Sequence, residues 1–409
     1  MKILHTVESY YPSTGGMQEV VKQISEHLVV MGHDVTVATS KMSSRNYNTL
    51  NGVKIIEFDI WGNNARGFTG NIQAYKDILL KSDYDVITNF AAQQWATDIM
   101  LDILDEIKSV RIFVPTGFSA LYLANWAQYF DKMKIWMKKY DMNVFLSHDY
   151  RDINFARTNG IKNITIIPNG AAEYEFLSEN NLNVREILQI PPNDFLILHV
   201  GSHTGAKGHL EAIKIFAAAK IKNVTLLIIA NKVDGGCTDS CKEVQRLFLS
   251  SNERLEDNKK LIIINLDRDT TVAAYHQADL FLFPSHVECS PLVLFECMAS
   301  KTPFLTTDVG NSREIIQWSQ GGELLPTIKY SNGLCQADIL ESAALLEKIY
   351  YDHETRAHMV SNAFNAWISN FTWEKIALQY ETMYESLTNK KRLHLHRAIQ
   401  KIDNIYENA

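Results

Sequence analysis

The chain has 409 residues, more than one ordinary hydrophobic core accommodates, so we expect two domains. Hydrophobic residues make up 46% and charged residues 21%, which is typical of a folded globular protein. The net charge of −7 argues against nucleic acid as the main partner, because binding a phosphate backbone requires a basic face.

The cysteines indicate a reducing compartment. Their number is odd and no CxxC pair occurs, so we expect neither a disulfide framework nor a zinc site. The apolar stretch at the start is too short for a signal peptide, and no run of about 18 apolar residues predicts a transmembrane helix. These features predict a soluble, cytoplasmic protein. The five cysteines are Cys237, Cys241, Cys289, Cys297 and Cys335.

Strand-like and helix-like segments alternate in the first part of the chain. Lys2–Val7 is a short apolar run that predicts a buried strand, and Met17–Met31 carries apolar residues at helical spacing. This alternation predicts a doubly wound parallel sheet with helices on both faces. The further predicted strands are His33–Thr39, Asp85–Asn89, Arg111–Val114, Asn143–Leu146 and Ile164–Ile167.

A second alternating series follows a break in this rhythm. The segment Asn169–Pro192 is rich in polar residues and turn formers, and we place a linker at 173–192 between domains of 1–172 and 193–372. Helices dominate from Asp338 onward. The chain is therefore predicted to contain two Rossmann-like α/β domains facing a cleft. The second set of strands is Phe195–Val200, Val224–Ala230, Leu261–Asn265, Leu280–Phe283 and Phe304–Thr306.

The clearest chemical pattern is a pair of carboxylates eight positions apart. Glu288 follows a predicted strand, and Glu296 lies early in a helix that begins near Pro291. The N–H groups of Leu292 and Val293 would then be unsatisfied donors that attract an anion. Such a site suits a diphosphate with hydroxyl-rich groups on either side. Alternatively, Glu288 is a solvated loop residue and Glu296 only interacts with the helix dipole.

Two glycine-rich loops are candidate phosphate sites. Residues 199–210 place Lys207 beside a helix start, although the P-loop pattern is absent and a structural turn is an equal alternative. Gly15 and Gly16 separate the first strand from the first helix without forming GxGxxG, which weakens a nicotinamide hypothesis. They would let the backbone approach a ligand, or they form only a tight turn.

Several other segments have two interpretations. Asp267-Arg268-Asp269 resembles a metal-binding DxD, but Asp269 as a helix cap before Thr270 and Thr271 is favoured. His203 would serve as a base, as a ligand or as a polar loop residue, and we assign it no catalytic role. The basic stretches Lys132–Tyr140 and 390–401 would rest on an anionic membrane surface, or they are exposed helices with one buried stripe, which we prefer.

Together these segments resemble the retaining family-4 glycosyltransferases, which have the GT-B fold. The resemblance spans nearly the whole chain and is carried by five segments: GGMQEVVKQISEHLVVMGHDVTV, IIPNGAAEYEF, VGSHTGAKG, ECSPLVLFE with TDVGNSREII, and FTWEKIALQYETMY. The spacing from Glu288 to Glu296 is the most specific element. The last segment resembles a closing helix, so we expect helices at 373–409 to pack on the first domain.

The resemblance implies a donor site that holds a nucleoside-diphosphate sugar without a metal or other cofactor. Lys207 would pair with the diphosphate, Glu288 would lie by the sugar ring, and Glu296 would hold the ribose hydroxyls. The implied catalytic residues are Lys207 and Glu288. The implied donor-binding residues are Gly15, Gly16, Ser202, Lys207, Glu288, Ser290, Pro291, Leu292, Val293 and Glu296.

The sequence departs from the family at two positions. Ser202 stands where the family usually has an arginine, and Thr116 stands where a histidine often precedes Gly117. We expect transfer of a hexose-type sugar to a glycan or lipid-linked acceptor in polysaccharide, lipopolysaccharide or glycolipid synthesis, at the inner face of a membrane. The alternative is a catalytically impaired GT-B relative that serves as a binding or partner subunit. A nucleotide-sugar epimerase is a weaker hypothesis.

Overall fold

The computed structural model describes residues 1–81, 83–231, 236–249 and 257–407, with the side chains of 249 and 394–407 outside the description. The chain forms two compact units. The first consists of Met1–Pro168 together with the described residues from Trp373 onward. The second is Asn169–Thr372. Each unit has its own sheet and its own buried core.

The first unit is built on an eight-stranded sheet with the order β10-β9-β8-β7-β1-β2-β4-β3, parallel except for the pairing of β3 with β4. Its central strands are apolar runs buried on both faces, as expected for a sheet that helices cover on each side. The strands are β1 (Lys2–Thr6), β2 (Asp34–Ser40), β3 (Thr49–Leu50), β4 (Val53–Phe58), β7 (Val86–Phe90), β8 (Val110–Val114), β9 (Met142–Phe145) and β10 (Ile164–Ile166). A separate antiparallel pair consists of β5 (Ile60–Asn63) and β6 (Gly67–Gly70).

Helices flank this sheet, and the last helix of the chain packs against the first. Tyr384 of the last helix donates or accepts hydrogen bonds with His5 at 3.2 Å and Thr88 at 2.8 Å, so it is anchored on β1 and β7. The helices are α1 (Gly16–Val30), α2 (Ile72–Lys81), α3 (Trp95–Leu101), α4 (Ala127–Lys139), α5 (Arg151–Thr158) and the final helix Trp373–Glu407.

The second unit has a six-stranded parallel sheet with the order β13-β12-β11-β14-β15-β16. The strands are β11 (Phe195–Val200), β12 (Val224–Ile229), β13 (Lys259–Ile264), β14 (Leu280–Phe283), β15 (Phe304–Thr306) and β16 (Gly322–Leu324), and β17 (Thr327–Lys329) pairs separately with β18 (Cys335–Ala337). The helices of this unit are α6 (Glu173–Phe176), α7 (Val184–Ile187), α8 (His209–Ala218), α9 (Cys237–Leu249), α10 (Arg268–Gln277), α11 (Leu292–Ser300), α12 (Ser312–Ser319), α13 (Ile339–Tyr351) and α14 (His353–Asn370). The final helix Trp373–Glu407 of the first unit is α15.

The strand order of the second sheet reverses between β11 and β14. In open parallel sheets this reversal leaves a crevice at the carboxyl ends of the two strands, where ligands bind. The loop after β11 contains Lys207, and the loop after β14 contains Glu288. The fold therefore brings the two predicted loops to one edge of one sheet.

Two expected segments differ from the structure. The segment 173–192, predicted as a linker, carries the short helices α6 and α7 and belongs to the second unit, because Phe176, Val184 and Ile190 are buried in its core. In the DxD-like stretch, the helix cap is Asp267, whose carboxylate accepts a hydrogen bond from the Thr270 N–H at 2.8 Å. Asp269 lies inside the first turn of α10.

For the two basic stretches, Lys132–Tyr140 and 390–401, the sequence allows either contact with an anionic membrane surface or an ordinary surface helix. In α4, Met133, Trp136 and Met137 are buried while Ile135 is exposed, which is the one-stripe pattern of a surface helix. The stretch 390–401 lies within α15, but its side chains from 394 onward are outside the described residues. Among the helices that the structure describes, none combines the length and the apolar character needed to cross a membrane.

Candidate donor site

An ion pair joins the two loops at the reversal of the second sheet. Lys207 Nζ lies 2.6 Å from Glu288 Oε1, and the Ser285 hydroxyl donates to the same oxygen at 2.8 Å. The Glu288 side chain is 10% exposed and that of Lys207 is 28% exposed, so both remain accessible at the surface of the unit. The structure thus brings together the two residues that the sequence analysis selected as catalytic.

Backbone contacts hold the same two loops in register. The Ala206 carbonyl accepts a hydrogen bond from the His286 N–H at 2.8 Å, and the Ser285 hydroxyl oxygen lies 3.0 Å from the same carbonyl oxygen. Gly208 has a φ of +72°, and a Cβ added there would lie 1.9 Å from the Pro284 carbonyl oxygen. Only glycine permits this approach, which places the start of α8 and Lys207 against the loop that carries Glu288.

The start of α11 presents hydrogen-bond donors that no side chain caps. Pro291 is the N-cap residue and no side chain caps the helix, so the N–H groups of Leu292 and Val293 have no intrahelical acceptor. The Ser290 carbonyl accepts from Asn169 Nδ2 at 3.1 Å, which fixes the chain just before the helix. Among the described residues, the buried Ser290 hydroxyl has no hydrogen-bond partner. This arrangement favours an anion with oxygen acceptors.

Glu296 lies on α11 in contact with a residue that the sequence analysis did not select. Arg268 of α10 forms ion pairs with Glu296 and Glu175, each at 2.6 Å. Glu296 is almost fully buried, with 8% of its surface exposed. Arg268 therefore sets the orientation of the second carboxylate. The sequence signal was present in the Asp-Arg-Asp stretch, but pairing with residues far away in the chain is not readable from spacing.

The segment after β15 supports the Glu288 loop from behind. Gly310 has a φ of +54°, and a Cβ there would lie 2.4 Å from the Cys289 carbonyl oxygen. The Asn311 N–H donates to that same carbonyl at 2.9 Å. The Thr307 hydroxyl donates to the Ser285 carbonyl at 2.5 Å. The TDVG segment thus supports the backbone of the loop that carries Glu288.

The loop after β11 also carries Ser202 and His203. Ser202 is exposed, whereas His203 is buried and stacks on His209 with ring centroids 4.5 Å apart. Burial lowers the pKa of His209 to about 4 and lowers that of His203 below its ordinary value. Burial thus disfavours the cationic form of His203, and Lys207 is the cation that this loop would offer to a phosphate, since Ser202 stands where the family usually has an arginine.

A side-chain cluster that the sequence does not predict lies beside this loop. The ligand atoms of His203, Cys237 and Cys241 lie within 4.8 Å of one another. The two cysteines are four positions apart on α9, a spacing that differs from the CxxC pattern of many zinc sites.

Gly15 and Gly16 belong to the first unit. Gly15 is the N-cap residue of α1, no side chain caps that helix, and the loop follows β1. The strand order of this sheet also reverses, between β1 and β7, so the loop lies at the equivalent edge. The Glu8 N–H donates to Gln94 Oε1 at 2.9 Å and ties the loops after these two strands together. The approach of either glycine to a donor stays a prediction.

Strained backbone accumulates at the same edge of the first sheet. Ala91 and Gln93 after β7, and Thr116 and Phe118 after β8, all have positive φ although none is glycine. Each such residue costs of the order of 1 kcal/mol, and such strain concentrates at functional sites. The Gly117 N–H donates to the Asp152 carboxylate at 2.8 Å. The loop that departs from the family at Thr116 is therefore held in a defined, strained conformation.

A buried carboxylate lies close to these loops. Asp98 accepts hydrogen bonds from the Asn64 N–H at 3.0 Å and from the Tyr129 hydroxyl at 2.8 Å. Burial raises its pKa to about 7. In the same unit, burial raises the pKa of Asp152 to about 6. Both groups titrate close to neutral pH.

Comparison with known proteins agrees with this architecture. The family model of glycosyl transferases group 1 matches residues 180–366, and the model of Glycosyltransferase Family 4 matches residues 14–172. An uncharacterized glycosyltransferase of Methanocaldococcus jannaschii is 23% identical over an alignment that covers 94% of this chain and 98% of the relative. A capsular polysaccharide biosynthesis glycosyltransferase of Staphylococcus aureus is 24% identical over 60% of this chain and 61% of the relative.

A solved structure shares the fold over most of its length. The Anabaena protein HepE in complex with UDP-glucose has a TM-score of 0.69 and 16% identity, covering 94% of this chain and 100% of the other. The two family models between them match most of both units, and the two loops that carry Lys207 and Glu288, the donor loops, lie within the match to glycosyl transferases group 1. The chain is therefore an enzyme with the GT-B fold that belongs to the family-4 glycosyltransferases.

Proposed function

We propose that this enzyme transfers a hexose-type sugar from a nucleoside-diphosphate sugar to a glycan or lipid-linked acceptor, with retention of anomeric configuration. The observation that carries the proposal is the Lys207–Glu288 ion pair of 2.6 Å at the strand reversal of the second unit. The ion pair lies in the loops that precede the helices α8 and α11, and the N–H groups at the start of α11 are uncapped.

The chemistry follows from where negative charge develops. Breaking the anomeric C–O bond leaves electrons on the departing diphosphate, and positive groups that face that oxygen lower the barrier. Lys207 supplies a point charge, and the N–H groups of Leu292 and Val293 supply fixed dipoles. Glu288 orients Lys207 in the absence of donor and accepts a sugar hydroxyl when the donor is bound. We assign it no role as a nucleophile.

The second carboxylate gives the site its specificity for a nucleotide. Glu296 is held by Arg268 through Oε1 at 2.6 Å, which leaves acceptor capacity on its carboxylate for the two ribose hydroxyls. Bound UDP-glucose in the structurally similar HepE makes a uridine nucleotide the first donor to test. The capsular polysaccharide relative makes a glycan acceptor the first acceptor to test.

We further propose that transfer requires neither Mg²⁺ nor Mn²⁺ on the diphosphate. A divalent cation at such a site would be held by carboxylates facing the phosphates. Here Glu288 is paired with Lys207 and Glu296 with Arg268, so both selected carboxylates already have cationic partners. Rates measured with and without added Mg²⁺ should agree, and a strict requirement for Mg²⁺ would contradict this part of the proposal.

The test combines donor binding with turnover. Calorimetry with UDP-glucose and other nucleotide sugars should show binding of at least one donor, and NMR of the product should show the anomeric configuration of the donor. Lys207→Met should lower kcat by about 100-fold or more, because it removes a charge that acts on the leaving group. Glu296→Gln should mainly weaken donor binding, by about 10-fold.

Lys222→Met is the matched control. Lys222 also forms an ion pair, with Asp257 at 3.5 Å, but it precedes β12 and so lies at the amino-terminal edge of the sheet. It should leave donor affinity and kcat unchanged. Donor binding without turnover of any acceptor would support a partner subunit instead, and no binding of any nucleotide sugar would refute the proposed donor site.

A further inference from the structure

Beside the donor loop, four side chains with metal-binding atoms converge from three elements. His203 belongs to the loop after β11, His209 begins α8, and Cys237 and Cys241 lie one turn apart on α9. The thiol sulfurs of the two cysteines are 3.9 Å apart. Cys237 Sγ is 3.5 Å from His203 Nδ1 and 3.7 Å from His209 Nδ1.

The three distances from Cys237 match three edges of a tetrahedral zinc site, and the ligand atoms of His203, Cys237 and Cys241 all lie within 4.8 Å of one another. With Zn–S of about 2.3 Å and Zn–N of about 2.0–2.1 Å, a tetrahedral angle separates two sulfurs by about 3.8 Å and a sulfur from a nitrogen by about 3.6 Å. Two thiolates with imidazoles form a soft donor set that selects zinc over magnesium or calcium. We propose that His203, Cys237 and Cys241 bind a Zn²⁺ ion, and that His209, which lies outside this group of three but next to Cys237, turns into the fourth position.

The orientation of His209 supports its role as a ligand. Its Nε2 lies 3.1 Å from the Gly201 carbonyl oxygen, which can only accept a hydrogen bond. The proton is therefore on Nε2, and the lone pair of Nδ1 faces Cys237. A ring nitrogen that donates to a backbone carbonyl while the other binds the metal is the usual arrangement around zinc. His209 and Cys241 are fully buried, so the site excludes bulk water on that side.

The ion would fasten the donor loop to α9. His203 and Lys207 belong to one loop, and the hydrogen bond that the structure describes between His203 and this helix is a weak thiol interaction at 3.5 Å. Zinc would replace it with coordinate bonds and so hold the loop that presents Lys207. This role is structural and lies outside the transfer step. Its effect on donor binding rests on the proposed function, whereas metal binding does not.

The site is tested on the full chain, purified without chelator and reduced so that all thiols are free. We expect about one equivalent of zinc per chain by mass spectrometry. Co²⁺ exchanged for the zinc should give the intense d–d and thiolate charge-transfer bands of tetrahedral coordination. Cys237→Ser and Cys241→Ser should each weaken zinc binding by about 100-fold or more, measured by competition with a chromophoric chelator.

Cys335→Ser is the control, because Cys335 is a buried thiol of the same unit outside the cluster. It should retain the zinc and the Co²⁺ spectrum. The proposal is overturned if the reduced protein binds neither Zn²⁺ nor Co²⁺, or if the two serine variants bind as tightly as the control. Zinc binding with no effect of its removal on UDP-glucose affinity would keep the metal site and refute its link to the donor loop.

Discussion

Replacing Gly208 by alanine isolates the close approach of the two donor loops. The added Cβ would lie 1.9 Å from the Pro284 carbonyl oxygen, where at least about 3.0 Å is needed, so the loops must separate by about 1 Å. Gly205 is the matched control in the same loop. It also has a left-handed backbone, with φ of +79° against +72°, but a Cβ there meets nothing within 4 Å.

Both variants place an alanine in the left-handed region, and only Gly208→Ala adds a steric clash. An alanine in the left-handed region costs about 1–2 kcal/mol, and this applies equally to Gly205→Ala and Gly208→Ala. Forcing an atom into a filled space adds typically about 1–3 kcal/mol, which applies to Gly208→Ala alone. We therefore expect Gly208→Ala to lower the free energy of unfolding by about 1–3 kcal/mol more than Gly205→Ala.

Urea denaturation followed by circular dichroism measures this difference in the free energy of unfolding. Calorimetry with UDP-glucose measures a second difference between the variants, in donor affinity. Because the loops hold Lys207 against Glu288, their separation should weaken donor binding by about 10-fold in Gly208→Ala, while Gly205→Ala stays near wild type. Equal stability and equal affinity in the two variants would show that the close approach at Pro284 does not position the donor loop.

Two further predictions concern buried charge. Burial raises the pKa of Asp98 from 3.8 to about 7, so the native state binds a proton more tightly than the unfolded chain, and the free energy of unfolding falls as pH rises from about 4 to about 7. Asp98→Asn should lack this fall, which is worth about 1.4 kcal/mol per unit of the pKa difference and is measured by urea unfolding at pH 5 and pH 8. Arg268→Met leaves Glu175 and Glu296 without their shared cation, so the free energy of unfolding should fall by about 1–2 kcal/mol. Arg268→Lys keeps the charge and should lose less stability, and an equal loss in both variants would contradict the electrostatic account.

The parallel core of both units was predictable because its strands are continuous apolar runs. Phe195–Val200, Leu280–Phe283 and Phe304–Thr306 have the bounds that the sequence predicts. The antiparallel pair Ile60–Asn63 and Gly67–Gly70 was missed, because these strands are short and contain no apolar run. The short helices in 173–192 were missed because this segment is mostly polar, although three of its side chains are buried.

The residues of the candidate site likewise divide into those that the sequence predicts and those that it does not. Lys207, Glu288 and the start of α11 follow strands, and a residue just after a parallel strand has a predictable place at the sheet edge. Arg268 meets Glu296 across two helices, and His203 meets Cys237 although 34 positions separate them in the chain. Periodicity identifies which face of one element is buried, but it does not identify which residues of different elements come into contact.

Stability alone is a poor explanation of the Lys207–Glu288 pair. A partly exposed ion pair contributes about 0–1 kcal/mol, and its energy is offset by the cost of removing two charges from water. Yet two glycine-dependent close approaches, at Gly208 and Gly310, hold the backbone on either side of it, and a glycine at each costs conformational entropy. A fold that gives up conformational entropy to place a weak ion pair gains from the placement itself. At the carboxyl edge of a parallel sheet, beside an uncapped helix, the proposed function makes that gain a cation held ready for a phosphate.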